Sequence, residues 1–199
     1  MKQKATLASI GPEGWTAADA RNGLHGTAML TFLAGGSYGV AREAVPYGVT
    51  FAAEDGHQWV INALDDIERD WKATKAAGLL ADICVLSMSF GYLPDFGGTA
   101  FNKHFADRLK ALDSLDMLSI VAAGNDGEAI KTVPQIFADS NTPNNNHVNT
   151  MLVVGAVDST GIKWQYSSTA SFVTLYAPGV DCTWKSKDPA TGAIKRQLK

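Results

Sequence analysis

Cysteine is scarce in this chain. Cys84 and Cys182 are the only two among 199 residues. That is too few for a disulfide framework or a cysteine-built zinc site, so the redox compartment stays open. Cys84 lies in the apolar stretch "ADICVLSMSF" and reads as a small buried residue. No apolar run is long enough to cross a bilayer, and no membrane partner is expected. The first residues, "MKQKATLASIGPEG", carry Lys2 and Lys4 with no apolar stretch behind them, so they do not form a secretory signal. Either the chain is cytosolic or its true start lies upstream. Neither sign of charge is in excess: 17 Lys and Arg stand against 20 Asp and Glu, a formal charge of −3. A surface built to neutralise phosphates is thereby excluded, and nucleic acid is not an expected partner. There is no internal repeat. The one biased stretch, "SNTPNNNHVN" at 140–149, reads as a polar surface loop.

What is present is the composition of a globular protein with a sizeable core, 46% hydrophobic and 19% charged. Its length suits one domain, or one incomplete larger domain. "VPYGVTFAA" (45–53) is β-branched and aromatic and predicts a buried strand. In the next segment, Val60, Leu64, Ile67 and Trp71 recur at helical spacing, and Gly78 stands where a C-terminal cap would. "DICVLSMSFG" (82–91) predicts a second buried strand. "TAFNKHFADRLKALDS" puts Phe101, Phe105, Leu109 and Leu112 on one helical face. Further strands are expected at 117–125, 151–157 and 172–179. Strands alternating with helices predict a parallel sheet with helices on its faces. Ligands then sit at the carboxyl ends of the strands, which directs attention to "SFG" (89–91) and "AAGNDG" (122–127).

Three stretches could carry chemistry. In "NGLHGTAMLTFLAGG" (22–36), His25 precedes an apolar run of helical character. A histidine at a helix N-terminus feels the positive end of the dipole, which favours the neutral ring and lets it accept a proton near neutral pH. The competing reading is a polar residue with no role. In "VAAGNDG", small residues leave an open slot at a strand end, and Asn125 offers an uncharged N–H donor suited to an oxyanion. The same tripeptide Asn-Asp-Gly is also ordinary turn chemistry. In "VLSMSFGY", the strand end at Ser89, Phe90 and Gly91 could pair with an extended peptide through main-chain hydrogen bonds, or be only a loop. Asp158, in Asp-Ser-Thr-Gly, reads as a turn after a strand.

Taken in order, "HGT" with a later "AG", "YGVA" (38–41), "LSMSFG" (86–91), "VAAGNDG" (121–127), "VGAVD" (154–158) and "APGV" (177–180) resemble the subtilisin-like serine peptidases. The short link from the histidine segment to "YGVA" is most similar to the proteinase K branch. The resemblance covers roughly residues 22–182 as a partial peptidase domain. Residues 1–21 carry no clear motif, and residues 183–199 end before the expected nucleophile block. It implies an α/β fold of three layers, with a mostly parallel sheet and helices on both faces, incomplete at both ends. It further implies that His25 is the general base and Asn125 the side-chain donor of the oxyanion hole. Ser89, Phe90 and Gly91 would pair with the substrate backbone, and Ala122, Ala123 and Gly124 would form the opposite wall of the primary specificity pocket.

The chain departs from the family pattern in the histidine segment, where Leu30 and Thr31 stand in place of a small residue and Gly, and at two catalytic parts. The family's acid lies upstream of its histidine in Asp-Thr-Gly or Asp-Ser-Gly, whereas only Glu13 and Asp19 precede His25 here, in other settings. The nucleophile follows "APGV" in a Gly-Thr-Ser block, whereas "DCTWKSKDPATGAIKRQLK" stands here, with Ser186 in a different context. The expected function is therefore that of a serine-type endopeptidase acting on extended polypeptides, present as a fragment lacking acid and nucleophile. The alternative is a catalytically inactive relative that binds extended peptides. A third class, a nucleotide-binding α/β domain, is weaker because "AGGSYG" comes after a helical run and not a strand. No cofactor is expected to be required, and no cluster of residues has clear metal-ligand spacing. The resemblance leaves calcium as a family trait, a monomeric state as the expectation, and secretion as a family tendency.

Overall fold

The computed structural model describes residues 19–35, 39–49, 58–78, 84–187 and 194–198. Two compact units divide the chain: one holds residues 1–50 and 181–199, the other residues 51–180.

In the first unit, helix α1 spans Asp19–Ala34. It begins six residues before His25, although Gly23 and Gly26 lie within it and glycine is a poor helix former. His25 therefore stands in the second turn and is exposed. The helix dipole acts within the first turn, so the dipole argument for a neutral ring does not apply as expected. The C-terminal end of α1 is closed by its own chain returning. The amides of Gly35, Val40 and Ala41 donate to the carbonyls of Thr31, Phe32 and Leu33 at 3.0, 3.1 and 2.8 Å. Gly39 must be glycine for this, since a Cβ there would sit 2.4 Å from the Gly35 nitrogen. The spacing of "AG" and "YGVA" thus records a helix cap.

The strand expected over 45–53 does not form over 45–49. Pro46 has no N–H for a ladder, and Val45 and Tyr47 are exposed. Its remaining residues lie outside the described ones.

The second unit begins with α2, Gln58–Ala76, whose Val60 and Leu64 are buried and whose Ile67 and Trp71 pack partly buried against the core. Gly78, with φ of 65°, turns the chain after it. Strand β1 (Cys84–Met88) is followed by α3 (Gly98–Asp113), β2 (Met117–Ala122), β3 (Leu152–Val157) and β4 (Leu175–Pro178). The strands lie in the order β1-β2-β3-β4, all parallel, with Met88 opposite Val121 and Val121 opposite Val153. Phe101, Phe105, Leu109 and Leu112 of α3 are buried, and their core takes in Met117 and Val121 of β2, Val153 of β3 and Val60, Ile61 and Leu64 of α2. Cys84 is half-buried, not fully so, and burial pushes its thiol pKa up. The 140–149 loop is polar as expected at its tip, yet Val148 and Asn146 are buried and anchor it.

Residues 183–199 hold a feature with no counterpart in the sequence expectations. Thr183–Lys187 (β5) and Ile194–Leu198 (β6) pair antiparallel, with Ser186 opposite Lys195.

Candidate active site

Strands β1 and β2 are neighbours, parallel and in register, so the chain leaves both of them side by side at the same edge of the sheet. Ser89, Phe90 and Gly91 come directly after β1. Ala122 closes β2, and Ala123, Gly124 and Asn125 come directly after it. Every predicted site residue except His25 is thus brought to one end of one sheet; His25 belongs to the other unit.

Each of the two segments is held by backbone. Ala123 donates to the Val154 carbonyl at 2.8 Å, which carries the β2–β3 ladder past the end of β2. Gly124 has φ of 109°, a conformation that favours glycine. Its carbonyl accepts from the Ser168 amide at 3.1 Å, and the Ser168 hydroxyl accepts from the Asp126 amide at 3.2 Å. Gly127 donates to Tyr166 at 2.8 Å, and Ile130 and Thr169 extend the same seam. The turn bearing Asn125 is therefore fastened on both sides, while the Asn125 side chain is exposed and makes no hydrogen bond to the described residues.

The β1 side is fastened by aromatic rings. Phe90 packs on Tyr92 with centroids 5.8 Å apart, Tyr92 meets Phe101 at 6.5 Å, and Phe101 meets Phe105 at 5.6 Å. The segment thereby rests on the buried face of α3. Burial pushes the Tyr92 hydroxyl pKa up. Tyr92 and Val133 exchange two backbone hydrogen bonds, each 2.8 Å.

That pairing delivers a residue the sequence did not single out. Gln135 is 2% exposed. Its Nε2 donates to the Phe90 carbonyl at 2.8 Å and to the Ala122 carbonyl at 2.9 Å. One side chain therefore ties the two segments together. Nothing in "TVPQIF" announces this, because the bonded carbonyls lie 45 and 13 residues away.

Asp158 is the turn residue expected: its Oδ1 accepts from the Thr160 hydroxyl at 2.6 Å, the Thr160 amide at 2.8 Å and the Ile162 amide at 3.0 Å. Those bonds, the Thr160 hydroxyl first, hold its carboxyl below the ordinary range. Among the described residues no three His, Cys, Asp or Glu side chains converge as a metal group would require. No helix among them is long and apolar enough to cross a membrane.

This parallel α/β arrangement is a subtilisin-like fold. It superposes on the crystal structure of a cold adapted subtilisin-like serine proteinase with a TM-score of 0.57, at 20% identity, covering 84% of this chain and 52% of that one. Residues 9–197 match the sequence profile of the Subtilase family, and the chain belongs to that family. It is 29% identical over 175 residues to Subtilisin-like protease 2 of Pseudogymnoascus destructans, and 29% identical over 182 residues to Alkaline protease 1 of Aspergillus oryzae. Each alignment covers 85% of this chain and 38% of the relative, so the chain spans well under half the length of the proteins it matches.

Proposed function

We propose that this chain is the central part of a serine-type endopeptidase that hydrolyses peptide bonds in extended polypeptides. The observation that carries the reading is the adjacency of the 89–91 and 122–125 segments at the carboxyl edge of one parallel sheet. An extended substrate would pair its backbone with Ser89, Phe90 and Gly91. The side chain preceding the scissile bond would enter between them and Ala122, Ala123 and Gly124. The Asn125 side-chain amide, exposed on a fastened turn, would donate to the oxygen that becomes negative as the carbonyl is attacked. Such a donor works because it is fixed before charge develops. His25 would take the proton from the attacking hydroxyl and return it to the leaving amine. The hydroxyl and the carboxylate that orients the histidine are assigned to protein segments outside these 199 residues. By family tendency the complete protein is secreted and monomeric. No step needs a metal.

Two measurements test this. The transcript read through both ends should encode Asp-Thr-Gly or Asp-Ser-Gly upstream and a Gly-Thr-Ser block downstream. A fluorophosphonate probe should label the complete product at that serine and leave the 199-residue chain unlabelled. A message that starts at Met1 and stops after Lys199 would overturn the endopeptidase reading and favour an inactive, peptide-binding relative.

A further inference from the structure

The last paired residues of β1 and β2 are Met88 and Val121. Just beyond them the ladder gives way to a side chain. The Phe90 and Ala122 carbonyls both accept from one group, Gln135 Nε2, at 2.8 and 2.9 Å. The amide therefore stands between the two segments as a wedge. Its whole plane rests against Gly91, where an added Cβ would lie 2.8 Å from Oε1, 3.1 Å from Nε2 and 3.3 Å from Cδ. Gly91 and Ala122 are exposed, whereas Gln135 is buried. The amide thus sits one layer beneath the surface and fills the gap from below. It is also hard to displace. Moving it aside strips the donor from two carbonyls at once, and a buried acceptor left bare is costly. The backbone that carries it is clamped on both sides. Val133 exchanges two hydrogen bonds with Tyr92, and the Ile136 amide donates to the Thr132 carbonyl at 3.0 Å.

We infer that the Gln135 amide closes the floor of the primary pocket and restricts the residue before the scissile bond to a small side chain: glycine, alanine or serine. This rests on the assignment of 89–91 and 122–124 as the pocket walls. The effect is steric and asks for no polar contact with the substrate. An extended chain laid along Ser89, Phe90 and Gly91 points one side chain into the gap between the walls. A methyl or hydroxymethyl group stays above the amide, in the layer of Gly91 and Ala122. A leucine or phenylalanine reaches the depth that the amide already occupies, and enters only by expelling it.

The test uses the 199-residue chain and the peptides acetyl-Ala-Ala-Ala-X-amide, with X as Ala, Leu or Phe, titrated by NMR. The Ala peptide should bind about tenfold more tightly than the Leu or Phe peptide, since a larger side chain must break both Gln135 hydrogen bonds. It should shift the backbone signals of Gly91 and Ala123. Gln135→Ala removes the wedge, and the order should reverse. The Leu peptide should then bind about tenfold more tightly than the Ala peptide, because even one methylene in an open apolar pocket is worth about tenfold or more. Gln135→Leu refills the volume without the hydrogen bonds, so the preference for Ala should persist there. Should the variants fail to fold, the wild-type order alone decides. Equal or tighter binding of the Leu or Phe peptide by the wild type, an unreversed order in a folded Gln135→Ala, loss of the Ala preference in a folded Gln135→Leu, or unmoved Gly91 and Ala123 signals would each overturn the inference. The peptidase reading is judged separately, on fluorophosphonate labelling of the complete product. Labelling without a size preference sinks only the role of Gln135, and a small-residue preference without labelling sinks only the peptidase.

Discussion

Gly91→Ala measures how tightly the two segments are tied. The backbone at Gly91 is not in the positive-φ region, so a methyl group meets no conformational strain. What it meets is the Gln135 amide: Oε1 at 2.8 Å, Nε2 at 3.1 Å and Cδ at 3.3 Å. The amide must move, and moving it stretches the bonds to the Phe90 and Ala122 carbonyls. Each such bond is worth about 0.5–1.5 kcal/mol net, and a carbonyl left buried without a donor costs about 1–3 kcal/mol. Against this, replacing glycine lowers the entropy of the unfolded chain and returns about 0.4–1 kcal/mol. Gly91→Ala should therefore destabilise by about 1–3 kcal/mol. Gln135→Ala should cost a similar amount by itself, since it deletes the same two bonds. The double variant separates this account from general damage. With the amide gone the methyl has space, and the second substitution should become neutral or stabilising. Urea unfolding of all four proteins, followed by the fluorescence of the chain's five tryptophans, gives the cycle. Neighbours in one network couple by about 0.5–3 kcal/mol, whereas independent sites add within about 0.5 kcal/mol. Additive costs would refute the account.

Other perturbations have expected outcomes of their own. Phe105 is fully buried between Phe101 and Phe137. Phe105→Ala should cost about 3–5 kcal/mol in the same urea assay, and a loss below about 1 kcal/mol would mean the ring is not a core residue. The Asp158 carboxyl should titrate below 3.8 by carbon-detected NMR. Because its folded pKa is depressed, its contribution is full above the unfolded value and is lost as pH falls through the folded one. Asp158→Asn should flatten that acid limb, and a midpoint at or above 3.8 would contradict the hydrogen bonds seen. In the complete product, His25→Ala should remove nearly all turnover. Asn125→Ala should lower kcat by about 10²–10³ with little change in KM, a magnitude known from subtilisin itself. Unchanged turnover in the Asn125 variant would reduce "VAAGNDG" to a turn.

The legible parts of the fold were those whose burial has a period. Val60 and Leu64, and the four large residues of α3, announced their helices because one face of each is buried. The four strands of the parallel sheet read as apolar runs, of which β2 and β3 alternate buried residues while β1 buries only Met88 and β4 none, and the ends of β1 and β2 pointed to 89–91 and 122–125. What stayed hidden had no local signature. At 45–49, β-branched and aromatic residues look like a strand, but Pro46 lacks a donor and Val45 and Tyr47 face solvent. The start of α1 is masked by two glycines, which weaken helix propensity without preventing the helix. The β5–β6 pair joins two short segments, "TWKSK" and "IKRQL", neither of which contains a run of apolar residues to announce it.

Gln135 is the instructive omission. A buried glutamine costs free energy unless its amide is satisfied, so its presence in a core position has to be explained by what it bonds. Two of its demands are met by carbonyls at the ends of neighbouring strands, and one is left open. An apolar residue of the same size would fill the position without an unpaired acceptor, but it would leave the Phe90 and Ala122 carbonyls without that donor. The ring contacts from Phe90 to α3 fix one segment, the Ala123 and Gly124 hydrogen bonds fix the other, and Gln135 fixes the distance between them. Under the proposed reading, holding an extended chain there in one register needs that distance constant before any ligand arrives, because geometry set in advance costs nothing at the moment of binding.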